Sequence, residues 1–209
     1  MKQILCFGDS NTFGLVPGEN ARYPWGVRWT SILNEKLGLQ EYRVIEEGLC
    51  GRTSIFDDPL RDGRNSVRFL PTLLESHSPL DLVTIMLGTN DCKSLFGASA
   101  QVIAHGIRRL IGQIRQYAPQ SRILIISPIH LGERVWEAGF DPEFSRDSVQ
   151  VSKELAEAYR KVAEAEKVEF LDASQYAYPS EKDQEHMTEE GHRNLAEAVY
   201  RIIEDKILL

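Results

Sequence analysis

The sequence predicts a small doubly wound α/β domain built on a five-stranded parallel sheet, and three observations carry that expectation. Short runs rich in Val, Ile and Leu alternate with longer stretches of helical period, as strands feeding crossover helices do. The runs are almost continuously hydrophobic, which suits strands buried on both faces. The length of 209 residues fits one domain with a sizeable core, so 1–209 is read as a single unit.

The elements follow in chain order. Strands are expected over 3–7, 42–46, 82–87, 122–127 and 168–172. Between the third and fourth strands, Ile103, Ile107, Leu110, Ile111 and Ile114 share one helical face, with Arg108, Gln113 and Arg115 opposite. The stretch 151–165 repeats the pattern with Val151, Leu155 and Val162, and the tail does so with Leu195, Val199, Ile202 and Ile203. Thr188 is the expected cap of that tail helix. The segment 132–145, with Trp136, Phe140 and Phe144, has neither period and reads as an excursion, a lid or a contact between copies.

Composition excludes several classes of function. A net charge of −7 disfavours nucleic acid and anionic membrane as partners. Ile4 to Phe7 is too short an apolar run for a signal peptide, and no transmembrane stretch follows, so a cytoplasmic protein is expected. Cys6, Cys50 and Cys92 are odd in number and far apart, as reduced thiols would be.

Ligands of open parallel sheets bind beyond the carboxyl ends of the strands. Four of those ends carry chemistry: Gly8-Asp9-Ser10-Asn11, the segment Glu46 to Thr53, Gly88-Thr89-Asn90-Asp91, and Lys182 to His192. Acyl transfer needs a hydroxyl nucleophile, an imidazole base, a carboxylate to hold it, and donors for an oxyanion. Ser10, His186 and Asp183 are the candidates for the first three. The amide of Asn90 and the backbone N–H groups of Ser10 and Gly51 are candidates for the oxyanion hole, Gly51 because no side chain blocks close approach.

With those blocks in place, the chain resembles the SGNH (GDSL-type) hydrolases from end to end. The segments "ILCFGDS", "VRWTSIL", "VIEEGL", "DDP", "PLDLVTIMLGTND" and "EGH" are similar to the branch of bacterial arylesterases and perhydrolase-type acyltransferases. The resemblance implies a flavodoxin-like three-layer α/β/α sandwich, a Ser10–His186–Asp183 triad, an oxyanion hole of Ser10, Gly51 and Asn90, no cofactor, and assembly into homo-oligomers. Two positions depart from the pattern: Asn11 follows Ser10 where the family name implies Leu, and Cys50-Gly51 stands where the branch tends to have Ser-Ala.

Other residues have plainer readings. Asp9 is expected to bond loop backbone, Arg52 and Asp91 to brace loops, and His192 to be structural, since its nearest acid, Glu189, shares its helix. Asn11, Phe13 and Trp25 lie close enough to Ser10 in sequence to be candidate substrate contacts, and the acidic pair Glu46-Glu47 has no evident role. Asp183, Glu185, His186 and His192 lack zinc-site spacing, so no metal is expected. The reading is a serine esterase acting on a small-molecule ester, with a short acetyl-type acyl group on an aryl or carbohydrate alcohol, and with acyl transfer as a related activity. The alternative is a non-catalytic module for a small ligand or phosphate that keeps the fold.

Overall fold

The computed structural model describes residues 1–207. Its centre is a five-stranded sheet: β1 (Lys2–Gly8), β2 (Tyr42–Gly48), β3 (Leu82–Met86), β4 (Arg122–Ser127) and β5 (Glu169–Asp172). The order is β2-β1-β3-β4-β5 and every pairing is parallel, so the doubly wound expectation holds. Each expected strand appears, with no end displaced by more than two residues.

Strand alternation builds two cores. Leu5, Phe7, Val83, Ile85, Ile123 and Ile125 face one side, under α3 (Ser66–Ser76), α4 (Ala100–Tyr117) and α5 (Arg146–Glu166). Their neighbours Ile4, Cys6, Leu82, Met86, Leu124 and Ile126 face the other, under α2 (Trp29–Leu37) and α6 (Glu189–Ile202). That is the three-layer sandwich, and it follows from the period of two along buried strands.

The anticipated face of α4 is buried, as are Leu195 and Val199 of α6, with Ile202 half-buried, and Thr188 caps α6 by accepting from the Gly191 N–H at 3.3 Å. Two helices have no clear signal in the sequence. Arg28 caps α2 without a side-chain hydrogen bond, and α3 carries Pro71 in its interior, where proline normally argues against a helix. No helix among the described residues is long and apolar enough to cross a membrane.

Chain direction across the sheet reverses between β1, which feeds outward to β2, and β3, which leads to β4 and β5. The carboxyl ends of β1 and β3 therefore flank the topological switch point, where doubly wound sheets open a crevice. Ser10 and Asn90 follow those two ends.

Candidate active site

The turn out of β1 is forced by small residues. A side chain on Gly8 would collide with Thr12 Oγ1 and lie 2.8 Å from the Met86 carbonyl of β3, so only glycine lets the chain fold back this tightly. Asp9 then caps the four-residue α1 (Ser10–Phe13), accepting the Asn11 N–H at 3.0 Å. Burial pushes the Asp9 carboxyl up to about 6, against the pull of that hydrogen bond. Ser10 opens the helix, 2% exposed, and its backbone N–H belongs to the first turn, whose donors have no intrahelical partner.

His186 arrives from the far end of the chain. Its Nε2 lies 2.8 Å from Ser10 Oγ, and its Nδ1 lies 2.9 Å from Asp183 Oδ2. Asp183 Oδ1 accepts the backbone N–H groups of Glu185 and His186, and Oδ2 also accepts that of Gly18. Burial opposes the Asp183 charge, but the hydrogen bonds from His186 and these amides outweigh it and hold the carboxyl below its ordinary range. Gln184, between them, takes a left-handed φ of 63°, held by its N–H on the Ser180 carbonyl and by the Gly132 N–H on its own carbonyl at 2.7 Å.

The other oxyanion candidates lie on the loops that follow β2 and β3. Gly51 has φ +82°, and a side chain there would run into the Arg61 guanidinium. The Leu49 N–H and the Arg52 guanidinium both donate to the Gly8 carbonyl, at 3.1 and 3.0 Å, which stitches the 49–52 loop to the end of β1. Asn90 Nδ2 gives one N–H to the Arg52 carbonyl at 3.1 Å, leaving its second N–H to donate elsewhere. Asp91 receives both the N–H and the hydroxyl of Ser54, so Arg52 and Asp91 brace loops as expected.

Three residues expected at the substrate are placed otherwise. Both arms of the Asn11 amide are spent on the loop around His186: Nδ2 donates to the Glu185 carbonyl and Oδ1 accepts the Met187 N–H at 3.0 Å. Asn11 thus ties the serine turn to the histidine loop, a job an aliphatic side chain could not do. Trp25 is 49% exposed and its indole donates to Glu35 at 2.7 Å, while Phe13 stacks under the Arg22 guanidinium. Closeness in sequence to Ser10 does not turn these rings toward it.

Glu46 and Glu47 are accounted for by partners. Glu46 binds Arg28 through both oxygens, at 3.0 and 2.8 Å, and also Arg22 and Thr30, while Glu47 meets His77 at 3.0 Å. His192 is fully buried, accepts the Trp29 N–H at 3.3 Å, and is pushed down to about 3 by burial, with Arg28 and His186 adding to the effect. It is a neutral core imidazole.

The 132–145 segment, read as a lid or a contact between copies, is fastened to the site loops. Lys93, almost wholly buried, pairs with Glu143 at 2.6 Å, the Ser94 N–H donates to the Glu143 carbonyl, and Val135 and Phe144 are buried. It buttresses the turn after Asn90 and the loop before His186.

From the sequence, Glu185 figures only in the Asp/Glu/His cluster that lacks zinc-site spacing. A turn tight enough to bring an Asp and a His three residues apart together must hold the intervening side chains close to the imidazole, and Glu185 Oε1 lies 3.8 Å from His186 Nε2. Burial lowers the His186 pKa, but the Glu185 and Asp183 carboxylates, with Asp9 behind them, outweigh it and raise it well above its ordinary value. A base must be neutral to accept a proton, so the acid limb of kcat/KM should lie on the alkaline side of about 6.5. Removing one negative charge in Glu185→Gln should move that limb to lower pH, and a pH–rate profile of both proteins checks the direction.

A depression of about 430 Å³ opens over His186 and Asp183, bordered by Leu15, Cys50 and Arg61. A larger groove between α4 and α5, about 510 Å³, contains none of Ser10, Asp183 or His186.

A hydroxyl, an imidazole and a carboxylate hydrogen-bonded in line beside the switch point of a five-stranded doubly wound sheet match the geometry by which serine-type hydrolases are recognised. The model of the GDSL-like lipase/acylhydrolase family matches residues 6–194, and the chain belongs to that family as an ester hydrolase. The chain is similar to the inhibitor-bound aryl esterase of M. smegmatis, at 36% identity over 100% of both chains with a TM-score of 0.93. It is also similar to Est24, a carbohydrate acetylesterase from Sinorhizobium meliloti, at 36% identity over 98% of this chain and 99% of the other, TM-score 0.90. An isoamyl acetate-hydrolyzing esterase of Saccharomyces cerevisiae is 26% identical over 178 residues, 81% of this chain and 69% of the yeast protein.

Proposed function

We propose that the protein hydrolyses short-chain, acetyl-type esters of aryl or carbohydrate alcohols through an acyl-enzyme on Ser10. The observation that carries the reading is the unbroken relay from Ser10 Oγ to His186 Nε2 at 2.8 Å and from His186 Nδ1 to Asp183 Oδ2 at 2.9 Å.

Ser10 Oγ attacks the ester carbonyl while its proton passes to His186 Nε2. Asp183 keeps the other ring proton on Nδ1 and stabilises the imidazolium. The tetrahedral oxyanion is met by the N–H groups of Ser10 and Gly51 and the free N–H of Asn90. The imidazolium gives its proton to the leaving alcohol, and water, activated by the same nitrogen, then releases the acid. An alcohol in place of that water gives acyl transfer.

Short acyl groups are supported by the depression over His186, where Leu15 is the one large aliphatic side chain along a wall that includes Arg61, Glu19 and Asn20. Chains of acetyl size fit such a wall, and long alkyl chains gain little from it. Turnover of p-nitrophenyl esters should peak at acetate and fall toward laurate, whereas a rate that climbs with chain length would refute the short-acyl reading. The relatives that act on acetylated carbohydrate and isoamyl acetate, by their descriptions, point the same way.

Asn90→Ala should lower kcat by about 10²–10³ with a smaller change in KM, because its second N–H meets charge that exists only in the transition state. Steady-state kinetics on p-nitrophenyl acetate measures the split.

A further inference from the structure

Glu185 is a buried acid that the relay leaves unused. It is 8% exposed, yet its side-chain oxygens accept no hydrogen bond from any described residue. The one basic group within 4.0 Å of it among the described residues, His186 Nε2, is 3.8 Å away, beyond hydrogen-bond distance. A carboxyl so nearly buried and without a donor is costly, and the narrow face it keeps toward solvent is where a donor can reach it. Packing elsewhere does not supply that reason, because the Glu185 backbone alone ties the loop together: its N–H donates to Asp183 and its carbonyl accepts from Asn11. The acidic neighbours Asp183, Asp141 and Asp9 offer it no proton donor and add repulsion.

The missing donor has a natural source in the substrate. A leaving alcohol must bring its ester oxygen within hydrogen-bond reach of His186 Nε2 to take the proton. An acceptor 3.8 Å from that same nitrogen is then within reach of the atoms next to the ester oxygen. A hydroxyl on the adjacent carbon is suitably placed to donate to it.

We propose that Glu185 is a specificity-determining residue that accepts a hydrogen bond from a hydroxyl vicinal to the scissile ester, so that the preferred substrates are acetylated polyols or sugars with a free neighbouring hydroxyl. The inference rests on the serine-esterase reading and refines its substrate class. Aryl alcohols carry no such hydroxyl, and their esters are substrates that leave Glu185 unpaired.

The test compares ethylene glycol monoacetate, which has the vicinal hydroxyl, with 2-methoxyethyl acetate, in which it is capped, and with p-nitrophenyl acetate. Each protein is assayed on the pH plateau of its own profile. The wild type should favour the glycol ester over its methyl ether by about ten- to hundredfold in kcat/KM, the range for a hydrogen bond to a charged group. Glu185→Leu should bring that ratio close to one while still hydrolysing p-nitrophenyl acetate. Glu185→Gln, which keeps the shape and a weaker neutral acceptor, should lower the ratio severalfold, and it decides the matter if the Leu variant does not fold. A ratio near one in the wild type, or a ratio unchanged by these substitutions, overturns the role of Glu185 and leaves the esterase reading intact. A wild type inactive on all three esters overturns the esterase reading and this inference with it.

Discussion

Ser10→Ala is expected to lower kcat on p-nitrophenyl acetate by about a millionfold, the scale found when the nucleophile of a serine relay is removed. The hydroxyl is the atom that bonds to the substrate carbon, and no second hydroxyl or thiol is hydrogen-bonded to His186 Nε2 among the described residues. Stability should hardly change. Among the described residues the only side-chain hydrogen bond of Ser10 is to His186, and alanine at the first position of a helix is well tolerated. Circular dichroism and thermal melting should therefore overlay on wild type while turnover disappears. A variant keeping more than about a thousandth of the rate would contradict the assignment of Ser10 as nucleophile.

Asp183→Asn carries the second large effect, a loss of about 10⁴ in kcat. Among the described residues Asp183 receives only N–H donors: three from backbone and one from the imidazole. An asparagine offers one oxygen for these four. If that oxygen serves the Glu185 and His186 amides, its NH₂ group faces the His186 Nδ1–H and the Gly18 N–H, donor against donor. The imidazole then relieves the clash by carrying its proton on Nε2, where it can no longer take one from Ser10. The loss should fall mainly on kcat, with KM near wild type, and steady-state kinetics on the folded variant measures it. A loss under about tenfold would mean that Asp183 does not orient the imidazole.

Much of this architecture was legible because buried parallel strands write a simple code. The continuous apolar runs fixed the strands to within two residues, and the rule that ligands sit beyond strand carboxyl ends brought Ser10 and His186 together although 176 positions separate them. The tail helix was legible from its Thr188 cap and apolar stripe. Helix α2 was not, because its N-terminus lacks a side-chain cap, and α3 was hidden by Pro71, which tertiary packing of Leu70 and Leu74 overrides.

At the site, sequence proximity misled where direction mattered. Trp25 and Phe13 are near Ser10 in the chain, but Glu35 and Arg22 claim their faces and edges. Asn11 resembled a substrate contact because an amide next to a nucleophile suits one. Its partners lie on the Glu185–Met187 backbone, which no local pattern announces. Glu46 had no legible role for the same reason: Arg22, Arg28 and Thr30 converge on it only once the 22–30 loop folds over the end of β2. Glu185 stood in plain view inside the Asp-x-x-His turn, yet its interest arises from a missing partner, and absences become visible only in three dimensions.

The central claim is that Ser10 is acylated during turnover, and the most direct measurement is covalent trapping. The wild-type protein incubated with diethyl p-nitrophenyl phosphate and examined by intact and peptide mass spectrometry should gain one diethylphosphoryl group, on the peptide that contains Ser10, with loss of ester hydrolysis in step with labelling. His186→Ala should label far more slowly, since the hydroxyl then lacks its base. Labelling confined to another residue, or ester hydrolysis that survives without any adduct on Ser10, would contradict the account.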